Sequence, residues 1–70
     1  MTEQEKMGKL ADVLDQDPGV LTADTPLDTI GWDSMAMLSV IALAKTNGKT
    51  ITGAQIRAFK IVNDILTTAF

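Results

Sequence analysis

Ser34, beside Asp33 and directly ahead of the apolar stretch Met35 to Ala44, is the hydroxyl whose placement in this chain suggests chemistry. Asp33 and Ser34 are both good N-cap residues. The ordinary role of Ser34 is therefore to cap the helix that follows, accepting a hydrogen bond from a backbone N–H two or three residues on. The other role is an attachment point, exposed where a helix end offers unpaired N–H groups and a positive dipole. A phosphate ester is electrostatically favoured there. The neighbouring Asp33 carboxylate partly opposes such an ester, so its value lies in contacting a modifying enzyme or that enzyme's metal. Position alone leaves both roles open.

Catalysis by the chain itself fits poorly. Histidine, tyrosine and cysteine are all absent, which removes the usual near-neutral base and the common partners for activating a serine. With them go the thiol nucleophile, the thiolate metal site and the disulfide. Carboxylates and lysines remain, but 70 residues scarcely enclose a substrate pocket. A small hydrolase built on Asp and Ser is the weakest reading, since nothing here deprotonates a serine at neutral pH. No enzyme and no metal site are expected.

The elements that must position Ser34 are helical. Thr2 followed three residues later by Glu5 is a capping-box pattern, and Met7, Leu10, Ala11 and Leu14 recur at helical spacing, predicting a first helix over about 3–15. Asp17, Pro18 and Gly19 stop it, glycine permitting a left-handed exit. From Val20 to Asp33 a long connection mixes Thr, Asp, Pro and Gly, pinned to the core by Leu21, Leu27, Ile30 and Trp32, with a single helical turn opened by Thr25, Pro26 and Asp28. Connections this long in so small a domain are commonly functional. A second helix spans 34–46 and ends at Asn47-Gly48. Thr52 with Gln55 repeats the capping-box pattern for a short helix over 53–58, and Val62, Ile65, Leu66, Ala69 and Phe70 give a last helix over about 61–69. No strand alternation or internal repeat is present. The expected fold is all-α: one domain over 1–70, three main helices plus one short helix, with a long first loop.

The second helix is apolar on too many sides. Met37, Val40, Ile41 and Ala44 form the stripe that a bundle core requires, while Met35, Leu38 and Ala42 form another more than a quarter turn away, and Leu43 falls on a third side. Either Ile30 and Trp32 of the loop fold over the second stripe, or it is exposed as a docking face, for which methionine is well suited. Trp32 reads as an anchor whose indole N–H needs a partner if buried. The net charge of −3 divides into −6 over residues 1–34 and +3 over 35–70. An acidic chain of this kind suits basic partners, with no nucleic-acid or membrane surface. Its longest apolar run, Val40 to Ala44, is far below the ~20 residues of a membrane span. The acidic start at Glu3 and Glu5 does not read as a signal peptide. A soluble, cytoplasmic monomer is expected.

The stretch Leu27-Asp28-Thr29-Ile30-Gly31-Trp32-Asp33-Ser34-Met35 resembles the attachment site of acyl carrier proteins, in which an Asp-Ser-Leu type motif opens the second helix; methionine here replaces the leucine. The likeness extends to the helix lengths, the long first connection, the near-central serine and a last helix opened by Val62, Asp64 and Leu66. It implies an acyl-carrier-like bundle in which a phosphopantetheinyl transferase attaches 4′-phosphopantetheine from coenzyme A to Ser34. The thiol that the chain lacks then arrives with the cofactor and carries an acyl or aminoacyl group as a thioester. By the same resemblance Ser34 supplies the attacking oxygen, the transferase supplies metal, base and orientation, and Asp33 helps that enzyme recognise the site. Met35, Leu38 and Ala42 match positions that present apolar contacts to partners: the transferase, a loading ligase and downstream biosynthetic enzymes. A tethered cargo reaches each active site at high effective concentration, so docking affinity can stay modest.

The departures narrow the expectation. Ala36, Ser39, Lys45 and Thr46 stand where fatty-acid carriers usually place Glu and Asp. Asp24, Asp28 and Asp33 lie in the connection before the serine, so a basic partner approaches from the loop side. Gly48 occupies a frequent phenylalanine position and Ile61 a common threonine one, while peptidyl carriers more often have Gly and His where this chain has Trp32 and Asp33. A dedicated carrier for one biosynthetic pathway is expected rather than a housekeeping fatty-acid carrier. The second reading is a carrier-like fold that is never modified and serves as an interaction module, with Ser34 only a helix cap.

Overall fold

Local sequence signals set most of the helix ends. The computed structural model describes residues 2–70 and contains four α-helices: α1 (Glu3–Val13), α2 (Ser34–Thr46), α3 (Gly53–Ala58) and α4 (Val62–Thr68). Among the described residues no strand forms, and only an isolated antiparallel bridge joins Pro26 to Ile61. The all-α expectation therefore holds. Both capping boxes are formed: the Glu5 N–H donates to Thr2 Oγ1 at 3.1 Å, and the Gln55 N–H donates to Thr52 Oγ1 at 3.1 Å, with the Thr52 N–H returning a bond to Gln55 Oε1 at 2.9 Å.

Three expectations change. Helix α1 ends at Val13 rather than near 15, and its left-handed exit is Asp15, with φ 56°, not Gly19. The Asp15 and Gln16 N–H groups donate to Asp12 O and Ala11 O, the paired bonds that close a helix on a left-handed residue. Asp is one of the few side chains that tolerates this backbone. Pro18–Val20 instead forms a 3₁₀ turn whose Gly19 N–H donates to Asp17 Oδ1 at 2.8 Å. Helix α4 runs from Val62 to Thr68, shorter than the 61–69 expected. Its N-cap, Ile61, has no side-chain acceptor to offer.

Helix α2 begins and ends as the sequence predicts. Gly48, with φ 73°, takes the left-handed position after it, and the Gly48 and Lys49 N–H groups donate to Lys45 O and Ala44 O. Asn47 Nδ2 then donates to Ala69 O at 3.0 Å, joining the ends of α2 and α4.

A single buried cluster draws on every helix: Leu10 and Ala11 of α1, Val40 and Ala44 of α2, Ile56 of α3, and Val62, Ile65 and Leu66 of α4. Helix α1 packs on α2 and α4, and α2 on α3. Leu10, Val40 and Ile65 are fully buried, each such side chain contributing roughly 1.5–3 kcal/mol by leaving water. The connection between α1 and α2 adds Leu21 and Leu27 to this cluster, with Ile30 and Trp32 half-buried against it.

The same connection is tied by its backbone to the head of α4. The Leu27 N–H donates to Lys60 O at 2.9 Å, the Val62 N–H to Thr25 O at 3.0 Å and the Asn63 N–H to Ala23 O at 2.8 Å. Asp64 strengthens the junction, accepting at Oδ2 from the Lys60 N–H (2.9 Å) and the Ile61 N–H (3.1 Å). These two backbone donors, with the nearby Lys60 charge, hold the Asp64 carboxyl below its ordinary pKa. A carboxylate depressed in the folded state stabilises the fold above its unfolded pKa, and that stability is lost as pH falls through the folded value. Replacing Asp64 by alanine is expected to cost on the order of 1 kcal/mol at neutral pH. Denaturant unfolding across pH should show the gap to wild type closing as the solution is acidified below the carboxylate range, and a gap independent of pH would exclude the ionised cap.

Candidate functional site

The chain reaches the head of α2 through a turn only some residues permit. Leu27–Thr29 forms a 3₁₀ turn, close to the single turn expected. Gly31 follows with φ 77°, and nothing lies within 4 Å of where its Cβ would sit, so the backbone conformation, not crowding, favours glycine there. Trp32 then packs inward and Asp33 is extended, with φ −115° and ψ −176°.

The cap of α2 is Asp33, not Ser34. The Ala36 N–H donates to Asp33 Oδ1 at 2.9 Å and the Met37 N–H donates to Asp33 O at 3.0 Å. Ser34 is the first residue inside the helix and is exposed. The reading of Ser34 as only a helix cap is thereby corrected: one acceptor satisfies the capping geometry, and Asp33 already supplies it. Among the described residues no hydrogen bond engages Ser34 Oγ, whereas Ser39, the other serine, donates from Oγ to Met35 O at 3.0 Å and is half-buried.

The two apolar stripes of α2 separate as the wheel requires. Val40 and Ala44 are buried, with Met37, Ile41 and also Leu43 half-buried against the core. Met35 and Leu38 are 76% and 65% exposed, and Ala42 is exposed as well. Ile30 and Trp32 turn to the core instead of covering this stripe, so the face stands open from Met35, next to Ser34, to Leu38 and Ala42, about one and two turns along.

An open cleft of about 350 Å³ lies between α2 and α3, and Ser34 is on its rim. Met37, Leu38, Ile41 and Ile56 supply apolar walls, and Gly53 and Arg57 complete the lining. Sequence reasoning did not bring Gly53, Ile56 and Arg57 to the serine. No local pattern signals it, because α3 is brought there by packing across the core. A second cleft of about 380 Å³ is lined by Trp32, Phe59 and Ile61 among others. Trp32, Phe59 and Phe70 are all half-buried against the core. Trp32 Nε1 is buried without a hydrogen-bond partner among the described residues.

Among the described residues no three acidic groups converge to hold a metal ion, and no helix is long and apolar enough to cross a membrane. What the site offers is an accessible hydroxyl at a helix head, next to an apolar face and an apolar cleft. Because Asp33 carries the cap, Asp33→Ala is expected to cost about 0.5–2 kcal/mol in denaturant unfolding, while Ser34→Ala should stay within about 0.5 kcal/mol of wild type. The reverse ranking would return the cap to Ser34. The chain matches no family model, no curated protein and no solved structure.

Proposed function

We propose that this chain is a carrier protein whose Ser34 is esterified with 4′-phosphopantetheine, in the manner of the acyl carrier proteins that its Asp33-Ser34-Met35 segment resembles. The single observation that carries the reading is that Ser34 Oγ is exposed at the head of α2 and spared from capping by Asp33. The residues around it fit the group: a free hydroxyl to bear the ester and a cleft of about 350 Å³ with apolar walls beside it. When bound, the prosthetic group supplies a flexible arm whose thiol holds an acyl or aminoacyl cargo as a thioester.

The chain's own residues do the rest by presentation. Ser34 Oγ attacks the coenzyme A pyrophosphate while its proton passes to a base of the transferase, the remainder of the coenzyme leaving. Holding that oxygen on the first turn of a helix fixes its direction of approach. Asp33, committed to the Ala36 N–H, stiffens the turn that the transferase must grip. Met35, Leu38 and Ala42 offer an apolar face to the transferase, a loading ligase and the biosynthetic enzymes downstream. Asp24, Asp28 and Asp33, all exposed, give basic partners a loop-side approach. Without an acidic α2, recognition rests more on this apolar face than on charge, which suits a dedicated pathway better than general fatty-acid synthesis.

Intact mass after incubation with coenzyme A, magnesium and a broad-specificity transferase tests the reading directly. The chain should gain the mass of phosphopantetheine, Ser34→Ala should gain nothing, and Ser39→Ala should behave as wild type. An unchanged mass counts against it. A second measurement addresses the docking face: Leu38→Asp is expected to lower transferase kcat/KM at least several-fold while leaving unfolding within about 0.5 kcal/mol, as for other exposed positions. An unaltered kcat/KM would remove Leu38 from the interface.

A further inference from the structure

Arg57 is the only arginine in the sequence and the only charged residue lining the cleft that Ser34 borders. Its guanidinium folds back along α3, with Nη1 3.3 Å from where a Cβ on Gly53 would sit. The capping bonds of α3 run between Thr52 and Gln55, and among the described residues no carboxylate pairs with Arg57. The remaining walls, Met37, Leu38, Ile41 and Ile56, are apolar. Asp33, the carboxylate next to Ser34, turns to the Ala36 N–H. An exposed guanidinium thus shares one apolar cleft with an unengaged hydroxyl.

We propose that Arg57 is the cation that pairs with the phosphate of an ester carried on Ser34 Oγ. The inference rests on the carrier reading and adds a residue to it. A guanidinium presents two parallel N–H donors that match two oxygens of a phosphate, and it stays charged at any physiological pH. Gly53 matters to the pairing: lacking a side chain, it leaves the guanidinium room to lie over the first turn of α3 and swing toward Ser34. The paired phosphate offsets the repulsion from Asp33 and orients the first bonds of the arm along the cleft between α2 and α3.

The test compares wild type, Arg57→Gln and Arg57→Lys before and after modification with coenzyme A and the transferase, using intact mass and nuclear magnetic resonance. Mass distinguishes a pantetheinyl ester from a bare phosphoryl group on the same oxygen. In wild type the Arg57 Nε–H resonance should move on modification. The phosphorus resonance should be displaced from its position in Arg57→Gln, with Arg57→Lys in between and the displacement shrinking in about 1 M salt, where charges are screened within ~3 Å. Lys60→Gln, outside this cleft, should leave the phosphorus resonance where wild type has it. A full mass gain with an unmoved Nε–H resonance, or with identical phosphorus resonances in wild type and Arg57→Gln, overturns the pairing and leaves the carrier reading standing. Failure of wild type to gain mass overturns both.

Discussion

The 2.9 Å hydrogen bond that the Ala36 N–H donates to the Asp33 carboxylate decides what Ser34 is free to do. A helix start leaves several N–H groups without partners, and a single well-placed side-chain oxygen satisfies the most constrained of them. Two adjacent residues were competent for that duty. Had the helix begun one residue later, Ser34 would have closed the cap and its oxygen would have turned inward to the backbone. With Asp33 in the cap, the serine lies on the first turn, its hydroxyl uncommitted among the described residues, and the carboxylate beside it is turned to the Ala36 N–H.

That register is held from a distance. The bonds inside the connection between α1 and α2 are short-range turns, whereas three backbone bonds lash it to the head of α4, and Leu21 and Leu27 sink into the core. Asp64 stiffens the receiving side by accepting from the two N–H groups ahead of α4. The α3–α4 junction therefore acts as the anchor from which Gly31, Trp32 and Asp33 lead into α2. Local signals alone would leave so long a connection free to choose among conformations, at a large entropic cost on folding.

Burial along α2 follows from size. Four short helices can surround one stripe of their most apolar member, and Val40 and Ala44 take that place. The stripe of Met35, Leu38 and Ala42 has nothing left to cover it, since Ile30 and Trp32 are already spent on the core. An exposed apolar face beside an exposed hydroxyl is what the proposed carrier role asks of a docking surface, because contiguous exposed apolar patches mark interaction sites.

Much of this was legible in the chain. Capping boxes at Thr2 and Thr52, the Asn47-Gly48 stop and the spacing of apolar residues are interactions within four residues of sequence, so they announce themselves and set the bounds of α2 and α3 closely. The Asp-Ser pair marked the candidate site, and the excess of apolar residues on α2 marked its neighbour. Where competing local solutions had nearly equal merit, only the folded packing could choose: Asp15 rather than Gly19 for the left-handed exit, and Asp33 rather than Ser34 for the cap. Tertiary structure also brought Gly53, Ile56 and Arg57 across from α3 to the serine, and left the Trp32 N–H without a partner. Contacts between residues some twenty positions apart depend on how the helices stack around Leu10, Val40 and Ile65, and no pattern confined to one segment encodes that.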